Sequence, residues 1–259
     1  MAGPDRTVSV LKLFTLDKPA WTVEEAAGAL LVSTSSAYRY FATLTEAGLL
    51  TTIMSGRYIL GPAIIQYDRQ IQLTDPLLQV AKPVMVEIMS FAPAHSTVLL
   101  CRIFRDTVLC VHQVAEPETR VSYERGRPMP LFKGATSKII LAHLPWRDLR
   151  RLYEAHGAQI SAAKLGDAWD MFRKNMAQMR RAGHAVTYAE VDPGRIGIAV
   201  PILDDRRRVL GSLSYVIPAS EERSVARLVS LAATAAREIE EGMRTDVGAL
   251  QRAVAEEAT

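Results

Sequence analysis

Residues 22–48 constrain this chain more than any other stretch. In TVEE, Thr22 and Glu25 have the spacing of a capping box. The threonine hydroxyl accepts from the Glu25 N–H and the carboxylate reaches back to the Thr22 N–H, which starts a helix. Val23, Ala26, Ala27 and Leu30 then supply one apolar face. A second helix carries Ala37, Phe41 and Leu44 at close to helical spacing and runs to Ala47, where Gly48 suits a left-handed cap. About three residues separate the two, so they must cross at a sharp angle, as in a helix-turn-helix.

The flanks extend that unit. RTVSVLKLFTL, residues 6–16, reads as a short amphipathic helix, with a turn at Asp17 and Pro19. LLTTIMSGRYILG reads as two short strands around Ser55 and Gly56, a hairpin or wing. Residues 62–76, closed by Asp75 and Pro76, read as a connecting helix. The expected domains are a winged helix-turn-helix over 1–62, a linker helix over 63–76 and a second domain over 77–259. That second domain is expected to hold helices near 77–91, 134–144, 147–155 and 167–182, and strands near 96–103, 107–115, 184–189, 196–203 and 209–217. A last helix is expected from Glu221 to about Arg244, capped by Ser220. Antiparallel strands with helices beside them make this an α+β, sensor-like domain.

A helix entering the major groove needs short polar side chains in its first turn and no acids there. Thr34, Ser35, Ser36, Tyr38, Arg39 and Thr43 meet that need, and no Asp or Glu stands between Glu25 and Glu46. Arg57 and Tyr58 occupy the wing. Bulk charge does not advertise nucleic acid: up to Asp75 there are six Lys or Arg against seven Asp or Glu, in a chain of net charge +3. The reading therefore rests on local placement.

A 49% hydrophobic and 23% charged composition over 259 residues is that of a globular protein, and excludes disordered and fibrous classes. The N-terminus has no signal-peptide pattern, and no apolar run reaches the roughly 18 residues a bilayer requires. A cytoplasmic protein with no membrane partner is expected. Cys101 and Cys110 fit no metal spacing, but a tight hairpin centred on Arg105 and Asp106 would set them face to face. They are read as buried thiols, with a redox role left open. Enzyme signatures are wanting: there is no Gly-x-Ser-x-Gly, phosphate loop, dinucleotide fingerprint or HExxH. SAAK at 161–164 lacks the companions of a Ser-x-x-Lys site and is placed in a connection. Neither enzymatic activity, cofactor nor metal is expected.

In the second domain, Pro130 and Gly134 break the chain before a helix near Ala135. Free N–H groups and the positive end of a helix dipole are expected there beside Lys133, Thr136 and Ser137, favouring a carboxylate or other oxyanion. Ser212, Ser214 and Val216 share one strand face by alternation. His112, Phe132 and Tyr215 are read as core.

At nearly full length the chain resembles the IclR-type bacterial transcriptional regulators. The resemblance rests on RTVSVLKLF, TVEEAAGALLVSTSSAYRYFATLTEAGLL, GRYILG, PMPLFKGATSKIILAHLP and IAVPILDDRRRVLGSLSYVIP. It implies a winged helix, a linker helix and a C-terminal GAF-like effector-binding domain, assembled as a homodimer or dimer of dimers on double-stranded operator DNA. It also implies that Met129, Ala135, Thr136, Gly197, Ser214 and Val216 match effector-cavity positions, with Glu190 in the matching acidic stretch. Members often carry a basic residue where Thr34 stands, which leaves phosphate anchoring to be shared with Arg6 and Arg57. The expected function is regulation of transcription in response to a small carboxylate or oxygenated aromatic metabolite. The alternative is a metabolite-sensing module whose winged helix contacts protein.

Overall fold

The computed structural model describes residues 3–53, 56–116, 118–119, 121–122 and 124–257. Ser55 lies outside them. The chain divides into two compact units, Met1–Asp75 and Pro76–Thr259.

The first unit holds α1 (Gly3–Leu11), α2 (Val23–Leu30), α3 (Thr34–Glu46), β1 (Leu50–Ile53), β2 (Arg57–Leu60) and α4 (Ala63–Thr74). The Thr22 capping box forms with both bonds at 3.2 Å. The turn after α2 passes through Leu31 in the left-handed region, φ 54°, and its N–H returns to Gly28. A branched side chain there costs about 1–2 kcal/mol. Val10, Val23, Ala26, Ala37, Phe41, Leu44 and Leu50 close the core, so the apolar stripes of α2 and α3 face each other. Gly48 has φ +68°, and a Cβ on Gly61 would overlap the Gly48 carbonyl oxygen. The chain leaves the wing through that close approach, with Gly61 N–H on Leu49 and Ala63 N–H on Gly48.

The first helix ends earlier than its apolar pattern suggests, at Leu11 rather than residue 16. Lys12, Leu13 and Phe14 donate to carbonyls only three residues back, and the Leu13 carbonyl is taken by the Trp21 indole at 2.9 Å. Thr15 instead closes a turn with Lys18, ahead of Pro19.

The second unit comprises α5 (Pro76–Met89), β3 (Thr97–Phe104), β4 (Thr107–Ala115), β5 (Pro128–Met129), α6 (Ala135–His143), α7 (Trp146–Ala162), α8 (Trp169–Ala182), β6 (Ala185–Tyr188), β7 (Arg195–Leu203), β8 (Val209–Pro218) and α9 (Val225–Glu257). Its strands form one antiparallel sheet in the order β5-β4-β3-β8-β7-β6. Alternation splits the strands cleanly. Val98, Leu100, Ile198, Val200, Leu213, Tyr215 and Ile217 pack against apolar residues of α5 and α9, and the Tyr215 hydroxyl donates to Ile88 O at 2.8 Å. The other face carries smaller residues at Gly197, Ala199, Ser212 and Ser214, which let α6 approach. Phe132 belongs to a third cluster with α7 and α8.

Two expectations are corrected in this unit and one strand is added. Residues 219–224 form a tighter 3-10 turn, so α9 starts at Val225 and Ser220 is not its cap. The Ala219 N–H is already held by Gly194 O at 2.8 Å, and the chain must turn sharply off β8 before a helix can begin. α7 runs past a kink at His156 to Ala162, placing Ser161 inside a helix rather than in a connection. The two-residue strand β5, too short for any periodic signal, extends the sheet. Among the described residues no helix is long and apolar enough to cross a membrane, and no three His, Cys, Asp or Glu group as a metal site.

Candidate functional site

α3 presents its polar face outward. Ser33 caps it, accepting from Ser36 N–H at 3.2 Å while its hydroxyl donates to Ser36 Oγ at 3.0 Å. Thr34, Ser35, Tyr38, Arg39 and Thr43 are exposed and Ser36 is half-buried. The Thr43 hydroxyl donates back to Arg39 O at 3.0 Å. Arg6 is exposed on α1.

The surface is less free of acid than the sequence of α3 alone. Glu24 of α2 accepts from the Tyr38 hydroxyl at 2.9 Å, which raises the phenol above its ordinary value and helps, after Glu24's own backbone hydrogen bond, to lower the carboxyl. Arg57 pairs with Glu25 at 3.5 Å. Tyr58 is a core contact rather than a surface one: its ring meets Phe41 edge-on at 4.8 Å and its backbone bridges to Trp21.

In the second unit a cavity of about 430 Å³, its open mouth included, lies at the N-terminal end of α6. Met129, Thr136, Glu190, Gly197 and Val216 line it. Thr187 and Gly197 stand opposite each other on β6 and β7, and Gly197 opposite Val216 on β8, so one cross-strand row makes the floor. A Cβ on Gly197 would come within 3.1 Å of Thr187 Oγ1, so a side chain there would have to push the threonine aside.

Ala135, Ser137 and Ser214 do not line the cavity. Ala135 is buried and its N–H donates to Thr187 Oγ1 at 3.1 Å. Ser214 stands behind Thr136, accepting its hydroxyl at 2.9 Å. Ser137 is wholly buried, and its Oγ has no partner among the described residues. Lys133 is exposed and outside the wall.

The helix terminus itself is the main surprise. Two of the N–H groups expected to be open are occupied: Glu190 Oε2 accepts from Gly134 N–H at 2.9 Å and Thr187 Oγ1 from Ala135 N–H, while Glu190 Oε1 also accepts from Lys138 Nζ at 2.6 Å. A protein carboxylate thus sits where a ligand oxyanion was expected, stabilised by the dipole and by a lysine only 8% exposed. At the other end Arg180 donates to Ala142 O at 2.5 Å and Leu144 O at 2.6 Å, completing the pairing of α6 with opposite charges.

Sequence reasoning did not find Leu99, Val121, Val191, Asp192 or Arg195 in the wall. Leu99 was reachable in principle, since β3 pairs it with Ser214, but only once the register was known. Val121, Val191 and Asp192 come from loops and Arg195 from the start of β7, joined at long range: Asp192 accepts the Ser122 hydroxyl and N–H, and Arg195 donates to His95 O.

The family model described as the IclR helix-turn-helix domain matches residues 3–53, and that of the bacterial transcriptional regulator IclR C-terminal matches 72–241. The HTH-type transcriptional regulator KipR of Bacillus subtilis is 25% identical over 211 residues, 81% of this chain and 83% of its own length. XynR of Escherichia coli is 23% identical over 212 residues, with the same coverage of 81% and 83%. Among solved structures, an IclR homolog of Microbacterium hydrocarbonoxydans complexed with 4-hydroxybenzoate matches with TM-score 0.73 at 22% identity, covering 94% of this chain and 100% of that one. An Alicyclobacillus acidocaldarius regulator gives TM-score 0.73 at 22% identity, covering 93% and 98%. At these identities the structural likeness concerns the fold.

Proposed function

Because the chain belongs to the IclR family of transcriptional regulators, with a helix-turn-helix domain and an effector-binding C-terminal domain, we propose that it acts on double-stranded operator DNA as a homodimer or dimer of dimers whose affinity is set by a small oxygenated or carboxylate metabolite. The observation that carries the reading is the exposed first turn of α3, capped by neutral Ser33 and holding no acid. Thr34, Ser35, Ser36, Tyr38, Arg39 and Thr43 read one half-site, and Arg6 and Arg57 meet phosphates. Tyr38 and Arg57 exchange their glutamates for DNA on binding. Self-association is supported by α4, whose Ile65, Tyr67, Ile71 and Leu73 are large, apolar and about half or more exposed.

The effector enters beside Thr136. An aromatic hydroxy acid, the class held by the Microbacterium protein, has an oxyanion that competes with Glu190 for the Gly134 N–H. Binding then releases Glu190, and a ligand that prefers one state of the protein shifts operator affinity, typically by about 1–3 kcal/mol. Chain continuity from α5 through α4 carries that bias to the helix-turn-helix unit.

Fluorescence anisotropy against tiled fragments of the upstream region, at about 50 and 200 mM salt with competitor DNA, tests the reading. Tight binding to one fragment is expected, with a log–log salt slope that falls by about one in Arg39→Ala. Folded protein that binds no fragment, with or without hydroxybenzoates, would overturn it in favour of a winged helix that contacts protein.

A further inference from the structure

A sulfur cluster lies behind the cavity wall. The β3–β4 hairpin sets Cys101 directly opposite Cys110, beside a bulge where the register shifts between Leu100 and Cys101. The Cys110 carbonyl accepts from Gly126 N–H at 2.9 Å, so its backbone groups point away from β3. The two cysteines therefore form a non-hydrogen-bonded pair, the closer kind, with Cα atoms typically about 4.5 Å apart. A disulfide spans about 4.4–6.8 Å between Cα atoms, so a pair of this kind falls within the range the bond requires. Both are free thiols, 0% and 1% exposed.

The third sulfur connects the pair to the cavity. Cys101 Sγ lies 3.5 Å from Met129 Sδ, and Met129 is part of the cavity wall. A small oxidant entering the cavity is thus one side chain away from the dithiol. The two thiols are also unequal. Burial pushes Cys101 up, whereas the neighbouring Cys101 side chain leads in drawing Cys110 down, with Arg125 contributing least.

We infer that Cys101 and Cys110 are a redox couple, oxidised by hydrogen peroxide or a small organic hydroperoxide to an intramolecular cross-strand disulfide. The Cys110 sulfur attacks one peroxide oxygen, the O–O bond breaks, and Cys110 becomes a sulfenic acid as water or an alcohol leaves. The Cys101 sulfur then attacks the Cys110 sulfur. The S–O bond breaks, the S–S bond forms, and the departing hydroxide leaves as water with the Cys101 proton. In sum, two thiols and one hydroperoxide give one disulfide, one water and one further water or alcohol. Cys101 must turn from Met129 toward Cys110, so the oxidised protein presents a different cavity wall.

The chemistry is independent of operator and effector and can be read on the full-length reduced protein. After treatment with one equivalent of hydrogen peroxide, the protein is alkylated in denaturant and digested with trypsin, which cuts at Arg102 and Arg105 between the two cysteines. The expected product is a two-chain peptide linking Cys101 to Cys110, with both thiols lost together and restored by dithiothreitol. In Cys101→Ser, checked for folding by circular dichroism, Cys110 should accumulate a sulfenic acid that a cyclic 1,3-diketone traps. The inference is overturned if wild-type protein keeps both thiols alkylatable while Met129 gains oxygen, or if disulfides form only between chains. The wild-type digest decides the matter even if the variant misfolds.

Discussion

Two helices in this chain begin on short hydroxyl residues, α3 at Thr34, Ser35 and Ser36 and α6 at Thr136 and Ser137, and they treat the positive end of the helix dipole in opposite ways. α3 is capped by an uncharged serine, and most of its first turn is exposed. α6 has no side-chain cap of its own, is buried from Ala135 to Ala142 and has the carboxylate of Glu190 at its start. An open terminus can receive a phosphate from outside. A closed one gives up its resident anion before accepting another, which turns binding into an exchange. Polar residues at a helix start therefore do not reveal which kind of site they make; the partner brought by the fold does.

The largest effect is expected from opening α6. Glu190→Ala leaves Lys138, 8% exposed, without its counter-charge, and should cost about 3 kcal/mol, less whatever screening Glu190's partial exposure already allows. Thermal unfolding measures it; a loss under about 0.5 kcal/mol would show that the pair is not what closes the helix. The converse change gives α3 an acid. Ser35→Asp should raise helix stability by a few tenths of a kcal/mol through the dipole while lowering operator affinity about tenfold by repelling phosphate. Equal DNA binding by this variant would detach α3 from the operator.

A smaller effect follows from removing the neutral cap. Ser33→Ala should destabilise the first unit by about 1 kcal/mol, visible as a lower unfolding midpoint, without altering the cavity. The smallest concerns pH. All five histidines, 95, 112, 143, 156 and 184, lie beyond Asp75. Burial is the leading cause that lowers His143 and His112 below the ordinary 6.5. For a depressed histidine the unfolded chain takes up the proton first, so stability is intact above about pH 6.5 and is lost as pH falls through the folded value. Melting at about pH 7.5 and 5.5 should show that loss in the second unit, and His143→Gln should flatten it.

The legible parts are those whose partners are near in sequence. The Thr22–Glu25 box, Gly48 and the wing all close within a few residues, and the face-to-face placement of Cys101 and Cys110 followed from counting along one hairpin. The cavity was legible in part. Thr136 and Gly197 lie in its wall, but Glu190 acts on Gly134 across 56 residues and Thr136 on Ser214 across 78. Alternation assigns a residue to a face; it says nothing of which strand lies alongside. The misplacement of Ser220 has the same root, since a bond from Ala219 to Gly194 delays the helix.

The order of the sheet also bears on how the protein is made. β3 pairs with β8, and α5 packs with α9 in one apolar cluster, so the middle of the sheet unites segments separated by about a hundred residues. During synthesis the helix-turn-helix unit can finish while the rest is still in the ribosome, whereas β3 waits with an open edge until residues 209–218 emerge. Nascent chains halted before that point should carry a protease-resistant head and a digestible remainder. Most of the effector domain's translation time is thus spent exposed to chaperones and to neighbouring nascent chains.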